Sequence, residues 1–310
     1  MSTFINRNLV PFVLAAALSA CGGGGGPAPD SNNPAEPIVG ATAPLPAPTT
    51  TTPVSTPTTN AQIKTFAPIC YDSSMQNLDD SGSYRTFGTY NIYSNIWNPG
   101  AATSWSQCTG ATIASPGGVT VAEFDWNFAS TNSDVKTYPN IQFGQQNSYN
   151  PSTTPLLPAP LSNLPSLVAT GKLATTCAVA PCYFDSSFDV FFSSTSTASP
   201  NEEGELMVIA DWNFPQPLGP TAFVALNVPI DGATYNIRQF QMPSSHGSWP
   251  YVAYYATSPI SNLNINIASF AHDAVNRGYI PASYYLDMVE IGTEVLSGQG
   301  KTVITNYSVQ

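Results

Sequence analysis

The chain has 310 residues, 42% hydrophobic and only 9% charged, with 8 Lys and Arg against 19 Asp and Glu for a formal net charge of −11. Eight scattered basic side chains exclude a nucleic-acid binder, because phosphate neutralisation needs clustered cations, and two histidines, His246 and His272, exclude a metal site of several imidazoles. A surface solvated by neutral Ser, Thr, Asn and Gln suits an exported protein that meets uncharged partners, and the apolar content is ample for one large all-β domain or two smaller ones.

Residues 1–20 place Arg7 ahead of an apolar run from Leu9 to Leu18, the layout of an export signal and too short to span a membrane. The run ends in Leu18-Ser19-Ala20-Cys21, which resembles the bacterial lipobox, so Cys21 is the expected lipidation site and the lipid the only expected membrane contact. Gly22 after the cysteine points to an outer membrane or cell surface, facing periplasm or exterior, and the chain is expected to be a monomer. Residues 21–60 are Gly-, Pro- and Thr-rich with few large aliphatic side chains, and read as a disordered spacer of extended geometry. Cys70, Cys108, Cys177 and Cys182 are left for two disulfides in an oxidising compartment. Three pairings are possible; Cys70 with Cys108 and Cys177 with Cys182, the second closing an Ala-Val-Ala-Pro loop, are favoured. The spacing does not suit a four-thiolate zinc site.

Residues 61–310 read as one folded domain of short strands rich in Tyr, Phe, Val, Ile and Thr, separated by Gly, Pro, Asn and Ser clusters. Strands are predicted over 84–97, 119–128, 139–146, 183–194, 203–213, 221–228, 233–241, 250–257, 285–295 and 301–309. The exception is a helix over 263–277, where Leu263, Ile267, Phe270, Ala271, Ala274 and Val275 recur at helical spacing before Gly278. His272 falls on its polar side and reads as a surface residue. Within the first strand, Asn91, Tyr93, Asn95 and Trp97 share one face and Ile92 and Ile96 the other. Amide and aromatic side chains on one face suit a sugar, whose apolar side stacks on rings while its hydroxyls bond amides.

Acidic residues inside strands are costly unless paired or used. Asp189 interrupts Phe188-Asp189-Val190-Phe191-Phe192 and turns away from the core side. Glu205 shares a face with Met207 and Ile209. Glu290, Gly292 and Glu294 share another face, and the glycine leaves room for something large to approach. Were Glu205 and Glu294 to face one groove, they would form the carboxyl pair that glycoside cleavage requires, one attacking the anomeric carbon and the other protonating the leaving oxygen. A serine hydrolase is disfavoured, since no Gly-x-Ser-x-Gly occurs and Ser245-His246 has no acid nearby.

The segments Tyr93-Ser94-Asn95-Ile96-Trp97, Ser106-Gln107-Cys108-Thr109, Asp125-Trp126, Val135-Lys136-Thr137-Tyr138-Pro139-Asn140, Phe188-Asp189-Val190-Phe191, Glu205-Leu206-Met207 and Gly292-Thr293-Glu294 resemble, in order and spacing, glycoside hydrolase family 12, the endo-β-1,4-glucanases and xyloglucanases. The resemblance runs from about Cys70 to the C-terminus. It implies an all-β jelly roll of two curved antiparallel sheets, an open concave cleft for a β-glucan chain, and one helix. By the same resemblance Glu205 is the nucleophile, Glu294 the acid/base and Asp189 the support of the nucleophile. Asn95 and Trp97 line the cleft, Tyr93, Trp126 and Met207 join them as substrate-binding residues, and Cys70 pairs with Cys108. No metal or organic cofactor is implied. Three departures stand out. Ile209 replaces a cleft tryptophan, Trp212 points by parity to the face opposite Glu205, and Val295-Leu296 replaces an aromatic residue after the acid/base. A glycan-binding protein without useful activity is the alternative these departures favour.

Overall fold

The structure, a computed structural model, describes residues 62–74, 84–115, 117–130, 134–145, 151–197, 203–215, 218–244 and 247–310. The export signal, Cys21, the spacer and Ser245-His246 lie outside the described residues. In chain order the strands are β1 (Gln62–Asp72), β2 (Tyr84–Phe87), β3 (Tyr90–Tyr93), β4 (Ser104–Ser115), β5 (Gly118–Ala129), β6 (Asn140–Gly144), β7 (Ala159–Pro160), β8 (Val168–Ser193), β9 (Gly204–Asn213), β10 (Ala225–Ile230), β11 (Ala233–Ser244), β12 (Gly247–Ala256) and β13 (Asn262–Asn266). Helix α1 (Ile267–Asn276) and the long β14 (Tyr285–Val309) follow.

The hydrogen-bonded order is β1-β4-β5-β14-β8-β9-β12-β11-β10, with β6, β3 and β2 added beside β14, and β13 beside β8. Strands β8 and β14 are antiparallel partners from Tyr285 opposite Ser193 to Val309 opposite Ala169. One half of this ribbon joins β5 and β13, the other β6 and β9, so it carries the chain from one layer into the other. The register breaks between Val295 and Gly300, and the Cys177–Cys182 disulfide lies beside that turn. Gly298 sits there at φ 94°, where an added Cβ would lie 2.6 Å from the Cys182 Cα, so only glycine fits. Cys70 pairs with Cys108 across β1 and β4.

The two layers close on one core. Phe124 of β5, Leu173, Phe188, Val190 and Phe192 of β8, Leu206 and Val208 of β9, Val252 and Tyr254 of β12 and Ile304 of β14 are buried together. Each such side chain contributes about 1.5–3 kcal/mol and each disulfide about 2–4 kcal/mol, so the apolar interior dominates the two crosslinks. The all-β jelly-roll expectation is met, with one local difference: β9 and β12 pair in parallel, while every other strand pairing among the described residues is antiparallel. The chain leaves β9, forms β10 at the edge, and returns through β11 and β12 to lie beside β9.

Several elements depart from the sequence expectations. The helix begins at Ile267 rather than Leu263, because residues 262–266 alternate exposed and buried and pair with β8. The Asn266 side chain then accepts from the Ala268 N–H and caps the helix. Phe270 is held edge-on by Tyr235 and Tyr254, with ring centroids 5.0 and 5.2 Å away, and His272 is exposed as expected. Strands β1, β4 and the first half of β8 were not anticipated, since they lack the dense apolar pattern of core strands. The segments 285–295 and 301–309 form one strand, β14. The single strand predicted over 84–97 is instead a hairpin, β2 folding back on β3 through a turn at Gly88-Thr89, and it stops at Tyr93. Asn95 takes φ 43°, and Ile96 enters a second cluster with Trp105, Phe128 and Val295 while Ile92 joins the main core. Asn91, Tyr93, Asn95 and Trp97 therefore do not share one continuous strand face.

Asp287 is the extra residue at the bulge between Leu286 and Met288; it is buried and accepts from the Ser193 hydroxyl at 2.8 Å. Burial pushes its carboxyl up to about 7, against the opposing effect of that bond. A carboxyl raised on folding is ionised more readily in the unfolded chain, so its contribution to stability falls as pH rises from the usual carboxylate range towards 7. Asp287→Asn should remove that slope. In melts followed by circular dichroism, the variant should gain on the parent as pH rises from about 4 to about 8; a pH-independent difference would count against this account.

Candidate active site

A cross-strand row of polar side chains runs over β2, β3, β6, β14 and β8: Thr86, Asn91, Gln142, Glu290 and Asp189 are successive register partners. The Thr86 hydroxyl donates to Asn91 Oδ1 at 2.8 Å, Asn91 Nδ2 to Gln142 Oε1 at 3.0 Å, and Gln142 Nε2 to Glu290 Oε1 at 3.0 Å. Each amide's orientation is thereby set by its neighbour, which pre-organises a buried polar surface. Asp189 continues the row and lies opposite Met207 of β9.

Glu205 occupies the neighbouring row, opposite Phe191 of β8 and Tyr251 of β12. Leu206, Val208 and Ala210 point into the core, and this turns Glu205, Met207 and Ile209 to the other face, as alternation predicted. The Trp249 indole N–H donates to Glu205 Oε2 at 2.9 Å. Beside it the Tyr251 hydroxyl donates to Met207 Sδ at 3.0 Å.

On β14, Glu294 lies opposite Asp185 of β8, and the two carboxyls share a hydrogen bond. Asp185 also accepts from the Ser187 hydroxyl at 2.8 Å. Burial pushes Asp185 up to about 6, and both hydrogen bonds oppose that rise. Two carboxyl groups can bond one another only through a proton held by one of them. Sequence reasoning missed Asp185. The available signal was its alternation with Ser187 and Asp189 on one side of β8.

Two buried phenols show how these acids are gathered. Burial first, then the charges of Asp189, Glu290, Glu294 and Asp185, hold Tyr138 well above the usual phenol range. Tyr138 is fixed by donating to the Ser187 carbonyl at 3.0 Å. Burial, then Tyr255, then Glu205, Glu294 and Asp185, do the same to Tyr251. Glu205 and Glu294 sit on strands separated by β8, yet both charges act on the single hydroxyl of Tyr251. The arrangement supplies one carboxyl steadied by an indole, another that shares a proton, and a polar surface between them, which are the ingredients of acid/base and nucleophilic chemistry on a neutral polymer.

The model of glycosyl hydrolase family 12 matches residues 88–310. The chain belongs to that family. An inactive glycoside hydrolase XLP1 of Phytophthora nicotianae (strain INRA-310) is 30% identical over 227 residues, 71% of this chain and 86% of that protein. Xyloglucan-specific endo-beta-1,4-glucanase 1 of the same organism is 27% identical over 224 residues, 71% of this chain and 85% of that protein. The native family 12 xyloglucanase from Bacillus licheniformis shares the fold, with a TM-score of 0.66 at 21% identity, over 79% of this chain and 99% of that chain.

For this family 12 chain, the remaining site expectations divide. Tyr93 sits in a row with Asn140, Gly292 and Ser187, its ring stacked on Tyr84 at 4.9 Å. Asn95 and Trp97 follow β3 in half-buried positions, and the Asn95 carbonyl accepts from the Thr137 hydroxyl at 3.0 Å. Trp126 does not line the site. It is 2% exposed inside the second cluster with Phe184 and Val295, packed over Gly300, because alternation along β5 turns it inward with Phe124 and Phe128. The space at Gly292 is filled by the chain itself: an added Cβ would meet the Pro139 carbonyl and the Asn140 side chain. Trp212 is corrected as well. Ala210 is an extra residue in β9, since Ser187 faces Ile209 and Ser186 faces Asp211, and the bulge reverses the parity. Trp212 consequently lies opposite Asp185, and its ring meets Tyr255 edge-on at 6.3 Å, on the Glu205 side of the sheet.

Proposed function

We propose that this chain is a retaining endo-β-1,4-glucanase that cleaves cellulose-like glucan or xyloglucan by double displacement. The observation that carries the reading is that Glu205 on β9, held by the Trp249 indole at 2.9 Å, and Glu294 on β14, opposite the buried Asp185, stand on strands that both pair with β8. Glu205 attacks the anomeric carbon to form a glycosyl ester. Glu294 gives its proton to the departing oxygen, then takes one from the water that cleaves the ester. Asp189, beside Met207 and next to Glu290, supports the nucleophile from the adjoining strand. In such a mechanism the two carboxyls act at a separation of about 5–5.5 Å. Asn95, Trp97 and Tyr93 line one end of the cleft, and Trp212 with Tyr255 offers a platform near the one lost at Ile209. Xyloglucan belongs among the candidate substrates because it is named in the related endoglucanases.

The test is reducing-end release from xyloglucan, mixed-linkage glucan and carboxymethyl cellulose, with proton NMR of the first-formed anomer. The reading expects cleavage with the β-anomer first; an α-anomer first would overturn retention. The second reading, a glycan-binding protein without turnover, draws on Ile209 and on the relative named inactive. It expects retention of the same polymers with no new reducing ends.

A further inference from the structure

We propose that Asp185 is the positioning partner of Glu294, holding the proton of the acid/base carboxyl between the two side chains and so setting when Glu294 can act as an acid. The proposal rests on the reading of Glu294 as acid/base, and Asp185 itself belongs to none of the motifs that carry that reading. Four features support it. Asp185 faces Glu294 directly across the β8–β14 ladder; it is 3% exposed; its other oxygen contact is the Ser187 hydroxyl at 2.8 Å; and it bonds the Glu294 carboxyl. Trp212 flanks it from β9, so a charge at this position is shielded from water on the side away from Glu294.

The titratable and charged groups facing the pair are Asp189 on β8, Glu290 on β14, Glu205 on β9, Tyr251 and Tyr255 on β12, Tyr138 before β6, and Arg238 on β11 through its bond to the Tyr255 hydroxyl. The carboxylates dominate this set. With Asp185 ionised, a second negative charge on Glu294 is opposed by its nearest neighbour, and Glu294 keeps its proton to higher pH. In the first displacement that proton moves to the glycosidic oxygen, the carbon–oxygen bond breaks with its electron pair on the leaving oxygen, and a Glu205 oxygen bonds the anomeric carbon. Glu205 loses its charge as Glu294 gains one, so the cluster's total is unchanged. The Glu294 carboxylate, crowded by Asp185, is then a stronger base towards the incoming water.

The test is Asp185→Asn, which keeps the shape and the Ser187 contact but removes the charge. The pH dependence of kcat/KM is measured with an aryl β-cellotrioside carrying a poor leaving group and with its 2,4-dinitrophenyl counterpart. For the poor leaving group, the alkaline limb should move down by about one pH unit or more, the size of shift a lost neighbouring charge produces. For the dinitrophenyl substrate, which needs no proton, kcat/KM should be spared. An alkaline limb that stays in place or moves up overturns the proposal. Trapping with 2,4-dinitrophenyl 2-deoxy-2-fluoro-β-cellobioside, read as a mass increase, counts folded sites independently of acid catalysis. Failure of the unaltered protein to trap would defeat the reading of Glu205 and Glu294, a result distinct from failure of the Asp185 inference. Should only the Asn variant fail to trap, Ser187→Ala replaces it, since both carboxyls remain and one bond fixing Asp185 is lost; a pH profile coinciding with the parent's would then overturn the proposal.

Discussion

Glu205→Gly is expected to lower glucan hydrolysis by about 10⁴-fold or more, the scale of loss when the nucleophile of a covalent mechanism is removed. On the proposed reading Glu205 is the nucleophile. Its strand neighbours Leu206 and Val208 are buried in the core, so the carboxyl has one direction to face, and the Trp249 indole holds one of its oxygens at 2.9 Å. Removing it leaves a space of carboxylate size beside Tyr251, on the face that the substrate would cover. A small anion can enter that space and attack the same anomeric carbon. Added azide should restore part of the cleavage, and the product should be a glycosyl azide of inverted configuration, visible by NMR and mass spectrometry. A correctly folded variant that azide cannot rescue would remove Glu205 from the mechanism. The glycine substitution also breaks the Trp249 contact, so a change in indole fluorescence is the expected structural trace.

Gly292→Ala is expected to destabilise the domain by about 3 kcal/mol, the upper end for overpacking, because the obstacle is backbone rather than a flexible side chain. An added Cβ would sit against the Pro139 carbonyl and 2.7 Å from the Asn140 Cβ. The same stretch is bonded to β14 just beyond the glycine, with Thr293 N donating to the Pro139 carbonyl at 3.2 Å and Val295 N to the Thr137 carbonyl at 3.1 Å. Relief of the clash requires these strands to part. For a domain of this size the loss corresponds to a melting temperature lower by about 6–12 °C. Glu290 and Glu294 stand two residues to either side on the same strand, so residual activity at a permissive temperature should fall at least about tenfold through misplacement. A variant that melts and turns over like the parent would show that the segment beside β14 is not held as closely as this packing requires.

Much of the molecule is legible in the sequence because strand periodicity is a local property. The alternation Glu205, Met207, Ile209 against Leu206, Val208, Ala210 assigns faces without any partner strand, and the structure keeps that assignment. Dense apolar strands such as β5 and β9 are legible to within a residue or two, whereas β1, β4 and the first half of β8 are not, because they mix apolar with polar and small residues and carry little apolar signal. The helix starts later than its spacing predicts, since Leu263 and Ile267, four residues apart, fit the helical and the two-residue period alike until β8 is there to pair with residues 262–266.

By itself the sequence determined an all-β chain and the faces on which Asp189, Glu205 and Glu294 stand along their strands, since alternation follows from residue type and short-range spacing; the roles proposed for those acids come from the family resemblance. Only the tertiary structure decided which side chains meet. A single extra residue, Ala210, moved Trp212 across the sheet, a positive φ at Asn95 broke one face into two, and the β8–β14 register brought Asp185 against Glu294. Bulges and register belong to pairs of strands, and parity counted along one strand cannot contain them.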